Sequence, residues 1–100
     1  MKIKTVSDYR GRMRGLLGTE AKGLDFDALH INPCRSVHTF GMKYPLDLAF
    51  VSADGSIIAT RKCVEPNRIC GSPSGTRSVL ERPCSDLAWF DVGERICTLT

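Results

Sequence analysis

The sequence predicts a mainly β fold with some helix (α+β), in the form of a small barrel-like or curled sheet. The sheet should be antiparallel or mixed, with one short amphipathic helix and helical turns. Several short β-prone segments follow one another without a β-α-β rhythm, and an Asp-Gly pair separates the two longest. A chain of 100 residues with 42% hydrophobic residues suffices for one modest core, so residues 1–100 should form a single compact domain.

The chain is predicted to begin with a short strand and a helix. Residues 3–6 alternate as a strand does. Ser7 or Asp8 is suited to cap a helix, whose apolar stripe would consist of Tyr9, Met13, Leu16 and Leu17. Gly11 and Gly15 weaken this helix, so it should need to dock on a sheet. Periodicity alone also allows an extended segment, in which one face would carry Arg10, Arg12 and Arg14.

The clearest predicted element is a β-hairpin in the middle of the chain. Residues 46–52 and 57–64 are apolar and β-prone, and they flank Asp54-Gly55, which is typical of a two-residue turn with positive φ at both positions. The resulting register pairs Ala53 with Ser56, Phe50 with Ala59, and Asp47 with Lys62. One face would carry Asp47, Ala49, Val51, Ile58, Thr60 and Val64, and the other Leu46, Leu48 and Phe50. Because both faces contain apolar residues, the hairpin should be central to the sheet.

Shorter elements are predicted around the hairpin. Residues 36–40 and 77–81 are predicted as strands, residues 84–90 as one helical turn, and residues 96–99 as a last short strand. Residues 66–75 contain Pro, Gly and Ser and are predicted as a loop. The part Gly-Ser-Pro-Ser-Gly-Thr superficially suggests a phosphate loop, but the required lysine is missing and proline has no N–H to offer.

Charge and cysteine content limit the possible functions. The net charge is +3, and the basic surplus lies before residue 23, where a solvated face explains it best. Nucleic acid is not the expected partner, since no aromatic stacking motif accompanies this surplus, although a weak anion or nucleic-acid binder remains a further alternative. The five cysteines include no pair two residues apart, and no apolar run suits a signal peptide or a membrane span. We expect no metal, no cofactor, reduced cysteines and a cytoplasmic location, unless an export segment precedes this sequence.

Several motifs occur in an order that resembles the family called domain of unknown function 192. Residues 12–18 (Arg-Met-Arg-Gly-Leu-Leu-Gly) resemble its opening, and residues 38–50 resemble its central signature, in which a Met-Lys pair precedes Pro-Leu-Asp. Asp54-Gly55 and residues 79–81 (Val-Leu-Glu) are similar to a later turn and strand. Within the central signature this chain has Phe-Gly-Met-Lys-Tyr where many members have Trp-Met-Lys-Asn-Thr. The resemblance covers roughly residues 3–98 and implies a compact β-rich domain, without a known reaction.

A polar cluster at the entry of the hairpin is the main candidate site. Asp47 lies among apolar neighbours in the sequence, so it needs a cation to stay ionised, which Lys62, Lys43 or Arg14 could supply. One interpretation is a structural ion pair, and the other is the polar floor of a shallow pocket for a small or peptidic ligand. The candidate ligand-binding residues are Arg14, His38, Met42, Lys43, Asp47 and Glu81.

The first functional hypothesis is a non-catalytic module, expected to be a monomer, that binds an unidentified small ligand or protein. The alternative is a small hydrolase that uses Cys34 or Asp47 with His38. Positions four apart in a strand lie about 13 Å from each other, which is too far for proton transfer between Cys34 and His38. No catalytic residue is therefore assigned, and the balance is against an enzyme.

Overall fold

The computed structural model describes residues 1–7, 16 and 18–96, and these residues form strands joined by turns and loops. No helix occurs in those ranges. The predicted helix after Ser7 falls on residues 8–15 and 17, together with Leu16, and so lies almost entirely outside the described residues. The strands are β1 (Ile3–Val6), β2 (Ala28–Ile31), β3 (Val37–His38), β4 (Leu46–Ser52), β5 (Ile57–Val64), β6 (Ile69–Cys70) and β7 (Thr76–Pro83).

The main sheet is mixed and open, with the strand order β1-β2-β7-β4-β5. β1 and β2 are parallel, whereas the other neighbours are antiparallel, and β3 pairs with β6 in a separate two-stranded sheet. The predicted mixed sheet is confirmed, but the barrel alternative is wrong, because β1 and β5 stand at opposite ends of the strand order. The chain near residue 94 covers the start of β5 instead: Ile57 N–H donates to the Glu94 carbonyl (2.8 Å), and Gly93 N–H donates to the Ile57 carbonyl (2.8 Å).

The central hairpin has the predicted bounds, but its turn differs from the prediction. Gly55 N–H donates to the Ser52 carbonyl (3.0 Å) and Ser52 N–H to the Ser56 carbonyl (2.9 Å), so the loop contains three residues. Of the Asp-Gly pair only Gly55 has a positive φ, of 88°. This is the pattern of a type I turn followed by a glycine bulge. Asp54 favours it, because its carboxylate accepts hydrogen bonds from Ser52 Oγ and Ser56 N–H.

The longer turn changes which residue of β5 faces each core. Phe50 pairs with Ala59 as predicted, but Val51 pairs with Ile57 across a register shift. Because a slip of one residue exchanges the faces of a strand, Ile57 replaces Ile58 beside Val51. The predicted division of β4 is otherwise confirmed. One core contains Leu16, Leu29, Ile31, Val37, Leu46, Leu48, Phe50 and Val79, and the other contains Ala28, Ala49, Val51, Ile57, Leu80 and Ile96.

The remaining elements match the predictions only in part. The predicted strand 36–40 shrinks to β3, and the predicted strand 77–81 extends to β7. The predicted loop 66–75 contains β6, which is held by pairing with β3. β2 had no prediction, because its four residues are all buried and therefore show no alternation. Of the predicted last strand 96–99, Ile96 is not in a strand, and residues 97–99 lie outside the described residues.

Candidate functional site

Asp47 is the centre of a buried ionic cluster where β4 begins. Its side chain is fully buried, and four protein donors surround its carboxylate. Oδ2 accepts hydrogen bonds from Lys62 Nζ (2.6 Å), Arg82 Nε (2.8 Å) and Ser85 N–H (3.3 Å), and Oδ1 accepts one from Cys63 N–H (2.9 Å). The predicted contact between Asp47 and Lys62 is confirmed, although a register shift interrupts the ladder at this point.

The pKa of Asp47 is lowered from its ordinary value. Burial by itself raises the pKa, because a carboxylate loses water when it enters the protein. Hydrogen bonds from Lys62, Arg82 and the Cys63 amide outweigh this effect. Asp47 is therefore an ionised carboxylate whose two oxygens are occupied by protein donors, and its main action is to position the groups around it.

Arg82 connects Asp47 to the segment that follows β7. Its side chain is only 6% exposed. The guanidinium donates to the carbonyls of Leu87 (2.6 Å) and Ala88 (2.9 Å) and lies 4.4 Å from the centre of the Trp89 ring. Lys62 Nζ also donates to the Ser85 carbonyl (3.0 Å). The predicted helical turn at residues 84–90 is wrong, because these carbonyls accept hydrogen bonds from the two cations and not from a following helical turn.

A disulfide between Cys63 and Cys84 closes the same region. The Cα atoms of the two cysteines lie 4.9 Å apart, so the end of β5 is tied to the residue after β7. The expectation of reduced cysteines is wrong for this pair. The two sulfur atoms and a carboxylate oxygen of Asp47 lie within 4.8 Å of one another. Disulfide sulfurs are not thiolates, and the carboxylate is already occupied, so this group does not have the donors of a metal site.

Two concavities flank the segment that this cluster holds. The larger, of about 560 Å³, lies between residues 21–27 and residues 82–88 and contains the side chains of Met1, Leu24, Phe26 and Leu87. The smaller, of about 400 Å³, is lined by Lys62, Trp89 and Phe90, among others. Ser85 and Leu87 line both concavities. Met1 is 65% exposed and Leu87 is 75% exposed, so apolar surface lies open to water here.

Glu81 lies on the opposite face of the sheet from Asp47. In the pairing of β4 with β7, Leu48 faces Glu81 and Asp47 faces Arg82, and neighbouring residues of a strand point to opposite faces. Burial raises the pKa of Glu81 to about 7, although the Leu16 N–H bonded to its carboxyl group acts in the opposite direction. Asp47 and Glu81 therefore do not share one pocket.

The other predicted site residues are also spread out. Met42 packs against the core on the Glu81 side. Lys43 Nζ lies 2.7 Å from Glu20 Oε1 in an exposed ion pair. His38 is exposed on β3, with its ring centre 5.6 Å from that of Phe40. Arg14 lies outside the described residues. The set does not line one cavity in the part of the chain that the structure describes, and its role in binding stays a prediction.

The residues of the hydrolase alternative do not form a catalytic arrangement within the described ranges. Cys34 Sγ donates to the Ser36 carbonyl (3.2 Å), as a thiol does. No hydrogen bond joins His38 to Cys34 or to Asp47 among residues 1–7, 16 and 18–96. Asp47 is fully occupied by donors, so a base at position 38 has no carboxylate there to orient it.

The sequence comparison decides the family. The sequence model of DUF192, described as "Uncharacterized ACR", matches residues 1–96. The chain belongs to the DUF192 family. No curated protein matches it significantly.

Two solved structures share the fold of this DUF192 protein. One is a protein of unknown function from Novosphingobium aromaticivorans DSM 12444, with a TM-score of 0.69 and 17% identity. The match covers 82% of this chain and 62% of that one, so this chain spans less than two thirds of that structure. The other, from Sinorhizobium meliloti 1021, is described as a candidate transcription regulator, with a TM-score of 0.69 and 20% identity over 82% of this chain and 67% of that one. At these identities the likeness concerns the fold.

Three donors to Asp47 in this DUF192 protein were not predicted from the sequence, namely Cys63, Arg82 and Ser85, nor was the contact of Arg82 with Trp89. Arg82 directly follows the strand-like residues Val79, Leu80 and Glu81. Because an arginine in such a strand is seldom buried without a partner, its position could have indicated an ion pair. Its partner, however, depends on the pairing of β4 with β7, which no local pattern predicts.

A separate finding concerns membranes: within the described residues there is no helix with the length and apolar character needed to cross a bilayer.

Proposed function

We propose that this DUF192 protein is a non-catalytic binding module that takes a small ligand with an apolar body in the concavity between residues 21–27 and 82–88. The volume of this concavity, about 560 Å³, is the observation that carries the proposal, because small-molecule sites commonly measure 300–1,000 Å³. Its lining combines apolar side chains with a few polar groups, as ligand sites do. We expect the protein to act as a monomer.

The ionic cluster supports this function by holding the wall of the concavity rigid. Arg82 donates to the Leu87 and Ala88 carbonyls and is itself fixed by Asp47. Because this wall is already ordered in the free protein, less conformational entropy is lost when a ligand binds. In this proposal Asp47 positions the site through Arg82, which itself lines the concavity.

Binding of anilinonaphthalenesulfonate, an apolar fluorescent anion, tests the proposal. The native chain should enhance its fluorescence saturably, and Leu87→Asp should weaken binding by about tenfold, since a charge at that wall opposes an apolar ligand. Ile69→Asp is the matched control, because Ile69 is 77% exposed on β6 and does not line this concavity. It should change affinity by less than about twofold.

The dye also binds partly unfolded proteins, so folding is measured on the same samples. Trp89 fluorescence in urea reports whether each variant unfolds cooperatively. An absence of dye binding to the native chain, or an equal loss in both variants, would refute the proposed site. Amide shifts confined to residues 21–27 and 82–88 on addition of the dye would support it independently.

A further inference from the structure

A further groove, separate from the two concavities described above, lies between the start of β7 and the loop that follows β2. Its volume is about 400 Å³, and its lining includes Arg35 and Arg77 together with Ser72, Ser74 and Gly75. Among residues 1–7, 16 and 18–96, the lining contains two cationic residues and no acidic residue. The groove is therefore suited to a negatively charged group and not to a cation.

Hydrogen bonds fix the backbone on both walls of this groove. Cys34 N–H donates to the Arg77 carbonyl (2.8 Å), which holds the chain before Arg35 against β7. Ser72 Oγ donates to the Arg35 carbonyl, which ties the loop to the same wall. Thr76 N–H and Oγ1 both donate to the Pro73 carbonyl (3.2 and 2.7 Å) and close the turn that presents Ser74 and Gly75. The fold itself thus sets the backbone positions of the lining residues.

The charges of this groove lack a counter-charge within the part of the chain that the structure describes. Arg35 and Arg77 are exposed, and neither forms an ion pair with a described carboxylate. Asp54, the next residue after the lining residue Ala53, is bonded instead to Arg95 (3.0 Å). The N–H groups of Ser74 and Gly75 also donate to no acceptor within the described residues. Two guanidinium groups and two amides are therefore available to an anion.

We propose that this groove binds the phosphoryl group of a small phosphorylated molecule, or inorganic phosphate itself. A guanidinium offers paired N–H donors that match two phosphate oxygens, and two such groups lining one groove can hold one tetrahedral anion. The Ser74 hydroxyl and the two free amides complete the donor set. The site is not a phosphate loop of the nucleotide-binding kind, since Pro73 supplies no N–H and the cations come from outside the loop.

Amide and arginine Nε shifts in NMR spectra of the whole chain test this proposal. Inorganic phosphate, added at constant ionic strength against sodium chloride, should shift Ser74, Gly75 and the two arginines saturably. Arg35→Gln and Arg77→Gln should each weaken binding by about tenfold or more, because each removes a charged bidentate contact. Arg68→Gln is the matched control, since Arg68 is an exposed arginine outside the groove, and it should change affinity by less than about twofold.

Further arms test whether a phosphate ester binds as inorganic phosphate does, and they guard against misfolding. Ribose 5-phosphate should produce the same shifts as phosphate, and Arg35→Lys and Arg77→Lys, which keep charge and fold, should still bind more weakly. The same spectra show whether each variant is folded. The absence of saturable shifts, or an equal loss in Arg68→Gln, overturns the proposal. Tighter binding of a single-stranded oligonucleotide that survives both glutamine substitutions also overturns it, in favour of a nucleic-acid surface.

Discussion

Glu81 should make the stability of this protein depend on pH in the neutral range. Glu81 is 5% exposed, and burial raises the pKa of its carboxyl group from an ordinary 4.5 to about 7. Between these two values the folded protein keeps a proton that the unfolded chain has released. Stability therefore falls as pH rises from about 4.5 to about 7 and stays low above that range.

The magnitude follows from the two pKa values. A tenfold change in proton affinity is worth about 1.4 kcal/mol, so the shift corresponds to about 3 kcal/mol of unfolding free energy. Glu81→Gln keeps the shape and removes the titration. We expect the variant to gain about 3 kcal/mol relative to the native chain between pH 4.5 and pH 8. Any constant cost of the new amide group does not affect this difference.

Urea unfolding at several pH values, followed by Trp89 fluorescence, measures the difference between the two proteins. The comparison also removes the opposite effect of His30, whose pKa is lowered by burial, so that stability decreases as pH falls below its ordinary pKa of 6.5. Glu65→Gln, at an exposed position, is the control and should give a flat difference. A difference for Glu81→Gln that changes by less than about 1 kcal/mol over this range would refute the reasoning.

Three further predictions concern the cluster and the hairpin. Asp47→Asn should lower the unfolding free energy by about 3–5 kcal/mol in urea titrations, because it leaves Arg82 buried without a counter-charge. Replacement of Cys63 and Cys84 by serine should cost about 3 kcal/mol in the same assay, since the bond closes a loop with a sequence separation of 21. Gly55→Ala should lower the melting temperature, because φ is 88° and the new Cβ would lie 2.8 Å from the Ile96 carbonyl oxygen.

Each of these predictions has an outcome that contradicts it. Asp86→Asn, at an exposed position, controls for the loss of a negative charge and should leave stability nearly unchanged. If Asp47→Asn and Asp86→Asn lower the unfolding free energy equally, the buried contacts of Asp47 do not stabilise the protein more than an exposed charge does. If a reducing agent leaves the unfolding free energy of the native chain unchanged, that result would contradict the disulfide. An unchanged melting temperature for Gly55→Ala would mean that the turn relaxes.

Local patterns predicted the parts of the fold that local forces determine. β4 and β5 are long β-prone runs on either side of an Asp-Gly pair, so their bounds and the pairing of Phe50 with Ala59 were predictable. The turn type was not predictable, because an Asp-Gly pair is typical of a two-residue loop, whereas the side chain of Asp54 here favours a three-residue loop. β2 and β6 depend on partners that are distant in sequence, and they have too few residues for a period to appear.

The candidate site was predictable only around one residue. A carboxylate in an apolar strand demands a cation, and this reasoning correctly joined Asp47 to Lys62. It could not separate Asp47 from Glu81, because their placement on opposite faces depends on the pairing of β4 with β7. The disulfide was equally hidden, since Cys63 and Cys84 lie far apart in the sequence and a count of five offers several partners.

The covalent link between Cys63 and Cys84 also determines how the molecule responds to mechanical tension. A pull applied at the two ends of the chain passes through the sulfur–sulfur bond and bypasses the residues between them, which include β6 and β7. At about 3.5 Å per residue, the 21-residue separation hides about 70 Å of contour length until the bond is reduced. Reduction should therefore appear in a single-molecule stretching trace as an added extension of that size.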